Sequence, residues 1–214
     1  MKELDLREFW AALDALPRSH NATFLYDASH EDGRLRRANL ERYLLLMASH
    51  HPRLMLVGEA PGYRGTAITG VPFMSLRELR STPGLLTRSP LGDMFHEPPT
   101  AASSWEATSG AMWKELVRMP QPPLLWAAYP SHPHPQDTTL GNRRPSADEV
   151  RAGIEIARHL ASAFKIDTIV AVGGVAQAAL KPFYGDLPRV RHPARGGAAR
   201  FAIELRAFLD ERRS

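Results

Sequence analysis

The chain has 214 residues, 43% hydrophobic and 23% charged, which suits one α/β domain with a substantial core and excludes disordered or fibrous classes. Lysine and arginine outnumber aspartate and glutamate by 27 to 23, a net charge of +4 carried almost wholly by arginine; this permits phosphate binding without demanding it. There is no cysteine, so disulfides, a thiol nucleophile and cysteine-ligated zinc or iron–sulfur clusters are excluded, and no cofactor is expected.

Leu6, Phe9, Trp10, Leu13 and Leu16 recur at helical spacing up to Pro17, with Trp10 expected in the core. No apolar run is long enough to cross a bilayer, and the amino terminus is amphipathic and charged. An intracellular, cytoplasmic protein is expected. A second helix is predicted over Leu35–Ser49, facing inward through Leu40, Tyr43, Leu44 and Met47. The apolar run Leu54–Val57 then reads as a buried strand ending in the turn Gly58-Glu59-Ala60-Pro61-Gly62. A second glycine-punctuated loop delivers Phe73, an aromatic without periodic partners. Residues 81–108, broken by Pro83, Pro90, Pro98 and Pro99, read as an extended surface excursion before a short helix near Met112–Arg118.

Leu124–Ala128 reads as the next buried strand, with Trp126 in the core. The loop after it carries His132 and His134, Asn142 and Arg143; the two histidines read as exposed loop residues rather than metal ligands, since no third ligand lies nearby. Ser146 and Glu149 form a capping-box signature for a helix reaching Phe164. Ile166–Val172 is a β-branched strand whose Gly173-Gly174 turn opens a helix over Val175–Leu180. A short strand Arg189–Arg191, the loop His192-Pro193-Ala194-Arg195-Gly196-Gly197 and a helix Phe201–Arg212 complete the chain. The alternation predicts one α/β domain over residues 1–214: a three-layer sandwich whose central, mostly parallel sheet of four strands is flanked by helices.

Ligands in such folds bind at the edge where strands end in glycine-rich turns. Gly58–Gly62 lacks the spacing of a dinucleotide fingerprint and the Gly-Lys-Ser/Thr of a P-loop. Taken alone it serves equally well as a plain strand-to-loop turn, and His192–Gly197 as a plain surface turn.

Together, Gly58–Gly62, Gly70-Val71-Pro72-Phe73, Gly141-Asn142-Arg143-Arg144-Pro145, Ala171-Val172-Gly173 and His192-Pro193-Ala194-Arg195 resemble the uracil-DNA glycosylase superfamily over most of residues 33–209. The resemblance is closest to its branch with a GEAPG first motif. It implies a monofunctional DNA glycosylase that flips a uracil or another deaminated base out of DNA and hydrolyses its N-glycosidic bond. By that resemblance His192 stabilises charge on the departing base; Glu59, the only acid inside the first motif, is the candidate for orienting water or the base, ranked below His192. The base-binding set is Gly58, Ala60, Pro61, Gly62, Phe73 and Ala127, with Phe73 stacking on the base. Asn142, Arg143, Pro193, Arg195, Gly196 and Gly197 contact DNA. The expected partner is DNA containing a deaminated base, bound by a monomer, with no membrane, no protein partner and no metal.

The departures from the family pattern are specific. Ala60 stands where one branch keeps a water-activating aspartate, and Tyr63, Arg64 and Gly65 stand where iron–sulfur relatives carry acids. Ala127 stands where an asparagine usually reads a pyrimidine edge. Two alternatives stay open: a lesion- or single-strand-binding protein that cuts weakly or not at all, and an α/β enzyme acting on free nucleosides or nucleotides.

Overall fold

The computed structural model describes residues 4–212. In chain order the elements are α1 (Arg7–Asp14), β1 (Ala22–Thr23), α2 (Glu31–His50), β2 (Leu54–Gly58), α3 (Thr66–Thr69), α4 (Leu76–Leu79), α5 (Ala107–Leu116), β3 (Leu124–Ala127), β4 (His132–Pro133), α6 (Ala147–Ala163), β5 (Thr168–Val172), α7 (Gly174–Tyr184), β6 (Arg189–Val190) and α8 (Ala198–Glu211).

The central sheet has the order β3-β2-β5-β6, and all its pairings are parallel. β2 is buried along its whole length, as an apolar strand covered on both faces must be. Gly58 pairs with Ala127, Val57 with Ala171, and Val172 with Val190. The last residues of all four strands therefore lie in one row, and the four following loops open at the same edge. Because β3 flanks β2 on one side and β5 on the other, the chain reverses direction between β2 and β5, which is where an open α/β sheet offers a crevice.

Helices cover the sheet in two groups. In one, α1 packs on α6 and α6 on α7; in the other, contacts run from α2 through α3, α4 and α5 to α8. α6 begins with the expected capping box: the Glu149 N–H donates to Ser146 Oγ (3.2 Å) and the Ser146 N–H to Glu149 Oε2 (2.7 Å). α2 starts four residues earlier than its apolar face predicts, because Glu31 and Asp32 favour the positive end of the helix dipole. Among the described residues no helix is long and apolar enough to cross a membrane.

Three expectations need correction. Trp10 is half-buried rather than core; it lies edge-on to Phe9 and under the Arg37 guanidinium. The excursion 81–108 does run without helix or strand up to α5, but it is pinned. Buried Asp93 accepts from the Leu86 and Thr87 N–H groups, and buried Asn39 of α2 bonds both the N–H and the carbonyl of His96. His132 is not exposed: it is 3% accessible, lies in β4 paired with β1, and contacts the Pro61 carbonyl through Nδ1 (2.9 Å) and the Thr139 carbonyl through Nε2 (3.1 Å). A neutral imidazole has a single N–H and donates to only one of these carbonyls; burial pushes the His132 pKa below its ordinary value, and the two carbonyl contacts oppose that.

Candidate active site

A cleft of about 550 Å³ opens at the carboxyl edge of the sheet, large enough for a nucleoside-sized ligand. Each strand of the central sheet contributes the residues that follow it: Glu59–Gly62 after β2, Ala127 and Pro130 at the end of β3, Gly173-Gly174 after β5, and Arg191-His192 after β6. Phe73 and the Asn142–Arg144 segment complete the walls from connecting loops.

Phe73 is held in a conformation that its sequence does not favour. Its φ is 54°, a left-handed geometry that costs a bulky residue on the order of 1–3 kcal/mol. Two side chains over-determine it: the Phe73 N–H donates to Thr66 Oγ1 (3.0 Å), and Trp113 Nε1–H donates to the Phe73 carbonyl (3.0 Å). The ring lies against Gly58, where a Cβ would sit 2.4 Å from Phe73 Cζ. A glycine at the end of β2 is thus what lets a ring reach the sheet edge.

On the opposite side, the Ala194 N–H donates to His192 Nδ1 (3.1 Å). That bond takes the Nδ1 lone pair, so the neutral ring carries its proton on Nε2 and presents a donor. Burial, then the charges of Arg191 and Arg195, push the His192 pKa below its ordinary value, so the ring is neutral near pH 7. Gly173, at φ 91°, lies so close that a Cβ there would be 2.9 Å from the His192 Cβ.

The turn after β2 is braced from the β4 side. His132 holds the Pro61 carbonyl, and the Tyr63 N–H donates to Asn142 Oδ1 (3.0 Å). Glu59 is half-buried, and burial raises its pKa against the nearby charge of Arg144. Ala60 and Ala127 line the cleft with methyl groups only. Arg195 and Gly196 have left-handed φ values of 52° and 73° and project at the rim, exposed. Pro193 and Gly197 are buried beneath them, and a Cβ on Gly197 would lie 2.1 Å from the His192 carbonyl oxygen.

Arg143 stands apart from the other site residues. Its guanidinium is bidentate to Glu149 (2.7 and 2.6 Å) and donates to the Asn21 carbonyl (3.2 and 2.9 Å), so it ties the loop to α6. The exposed cations at the mouth are Arg144, Arg191 and Arg195.

The cleft also contains residues that motif reading misses. Trp126 forms part of the wall, and its buried Nε1–H has no acceptor among the described residues. Glu106 enters from the start of α5, at the end of the proline-broken excursion. The one sequence signal for Glu106 is its place just before the apolar face of Met112, Trp113 and Leu116.

No curated protein matches the sequence. In fold, the chain is similar to the crystal structure of wild-type Pedobacter heparinus SMUG2, with a TM-score of 0.64 at 15% identity over 96% of this chain and 99% of that one. A family model described as the uracil DNA glycosylase superfamily matches residues 47–206. That span contains all four strands of the sheet, the Gly58–Gly62 turn, Phe73 and His192, and the chain belongs to the uracil DNA glycosylase superfamily.

Proposed function

We propose that the protein is a monofunctional DNA glycosylase that removes uracil or another deaminated base from DNA, acting as a cytoplasmic monomer without a cofactor. The observation that carries this reading is the pairing, in one cleft, of a ring held in a costly conformation with an imidazole fixed as a donor. A flipped base needs both a stacking surface and polar contacts at its edge.

In this reading the base leaves the duplex and stacks on Phe73, a contact worth about 1–3 kcal/mol. As the glycosidic bond breaks, negative charge grows on the base carbonyl, and the Nε2–H of neutral His192 donates to it. A fixed donor aimed at developing charge is typically worth about 3 kcal/mol in the barrier. Backbone groups of Gly58–Gly62 hold the base, and Glu59 orients it or the water. Arg195 with Gly196, above the buried Pro193 and Gly197, enters the groove beside the lesion. Arg144, Arg191 and Asn142 meet phosphates at the rim, while Arg143 serves the loop.

The test is to incubate the protein with single- and double-stranded oligonucleotides containing uracil or other deaminated bases, then cleave abasic sites with alkali. Cleavage at the lesion is expected; none with any deaminated base at stoichiometric protein overturns the catalytic reading. A second reading, lesion binding with little or no cutting, is favoured by Ala127, whose methyl group can neither donate to nor accept from a base edge. Tight, salt-dependent binding to lesion DNA without abasic product is its signature.

A further inference from the structure

Two carboxylates line the cleft, Glu59 and Glu106, and their surroundings differ. Glu106 occupies the N-cap position of α5 but makes no side-chain cap. Among the described residues its carboxylate accepts no hydrogen bond. Glu78, close by on α4, is by contrast engaged by the hydroxyls of both Ser75 and Ser109. The Glu106 carboxylate fills the room left by two missing side chains: a Cβ on Gly62 would lie 2.7 Å from Oε1, and one on Gly65 would lie 2.3 Å from Oε2. A half-buried acid with its lone pairs unfilled is costly unless water or a ligand completes it.

Its position relative to Phe73 is also fixed. Trp113, seven residues on in α5, bonds the Phe73 carbonyl, so one helix carries the acid and anchors the ring. We propose that Glu106 is the general base of this enzyme, taking a proton from the water that attacks C1′ of the flipped nucleotide at the wall built by Gly62 and Gly65. The proposal rests on the glycosylase reading above. In the step, the water oxygen bonds to C1′, the C1′–N bond breaks, and its electron pair leaves on the base. The water proton passes to the Glu106 carboxylate and then to solvent, which also supplies the proton that the departed base anion takes up.

The charges around the acid agree with this role. Burial first, then the negative charge of Glu78, push the Glu106 pKa up to about 7, with Arg64 opposing. Burial raises the Glu59 pKa too, but with Arg144 opposing and no carboxylate adding to it the rise is smaller than at Glu106, which makes Glu59 the weaker base. At His192 across the cleft, burial and then the charges of Arg191 and Arg195 favour the neutral ring.

Single-turnover rates on a uracil-containing oligonucleotide, measured from acid through neutral pH to alkaline, test the assignment with Glu106→Gln and Glu59→Gln. The wild-type rate should climb as pH rises through about 7 and then level. Glu106→Gln should lose about 10²- to 10⁴-fold at the plateau and lose that climb, with DNA affinity unchanged. Glu59→Gln should keep the climb. Gln keeps the volume of Glu106 and breaks no hydrogen bond, and an unchanged Tm checks the fold. In Glu106→Ala, added formate should restore part of the rate. An active wild type whose Glu106→Gln variant keeps its rate or its pH climb overturns this assignment alone. A wild type inactive on every deaminated base overturns the glycosylase reading and the assignment with it.

Discussion

Gly58→Ala is the sharpest probe of the stacking site, because it touches the ring without touching Phe73. The new Cβ would lie 2.4 Å from Phe73 Cζ and 3.2 and 3.3 Å from Cε2 and Cε1. Carbon atoms prefer separations of about 3.5–4.0 Å, so the ring must retreat by more than about 1 Å. The Phe73 backbone is held at both ends by Thr66 and Trp113, so the movement falls on the side-chain torsions. Gly58 has no left-handed φ, and its carbonyl still accepts from the Ala128 N–H (2.9 Å), so the strand itself tolerates alanine. Loss of good stacking, worth about 1–3 kcal/mol, corresponds to about a 5- to 150-fold fall in kcat/KM. The assay is a double-mutant cycle with Phe73→Ala on a uracil-containing oligonucleotide. Gly58→Ala should cost little once the ring is gone. Penalties that simply add, or a Gly58→Ala variant with wild-type kcat/KM, would refute the stacking role.

Three further outcomes are expected. His192→Ala should lower kcat by about 10²- to 10³-fold while DNA affinity stays near wild type; equal losses in both would make the residue structural. Arg195→Ala should weaken DNA binding and reduce the slope of log affinity against log salt by about 1, and an unchanged slope would remove Arg195 from the phosphate contacts. Glu149 is held well below its ordinary 4.5, to about 2, first by the Arg143 side-chain hydrogen bonds and despite its own burial. Because the folded-state pKa is depressed, the stability from this pair is complete above about 4.5 and lost as pH falls toward about 2. Urea titrations should show Glu149→Gln losing less stability than wild type over that window, and parallel curves would contradict the linkage.

The elements that could be read from sequence are those with a local cause. β2 is an apolar run, β5 is rich in β-branched residues, and α6 announces itself through the Ser146–Glu149 box. α3 and α4 have four residues each, too short for any periodicity, and β1 and β4 have two each and exist only as a pair. At the site, glycine turns and a lone aromatic marked the strand edge, whereas the remaining features depend on distant partners. His132 meets Pro61 and Thr139, and Glu106 meets Gly62 and Gly65, across separations that no local pattern encodes. Arg143 looks like a free cation until α6 brings Glu149 to it.

The bond from the Ala194 N–H to His192 Nδ1 has a consequence for the whole catalytic cycle. With that lone pair committed, the imidazole has no vacant basic nitrogen facing the reaction. In the proposed chemistry it starts and finishes each turnover neutral and keeps its own hydrogen throughout. It is a spectator in proton inventory even while it steadies the leaving group. All proton traffic then falls to the acid wall of the cleft and to solvent, and one ring can serve base after base without being reset.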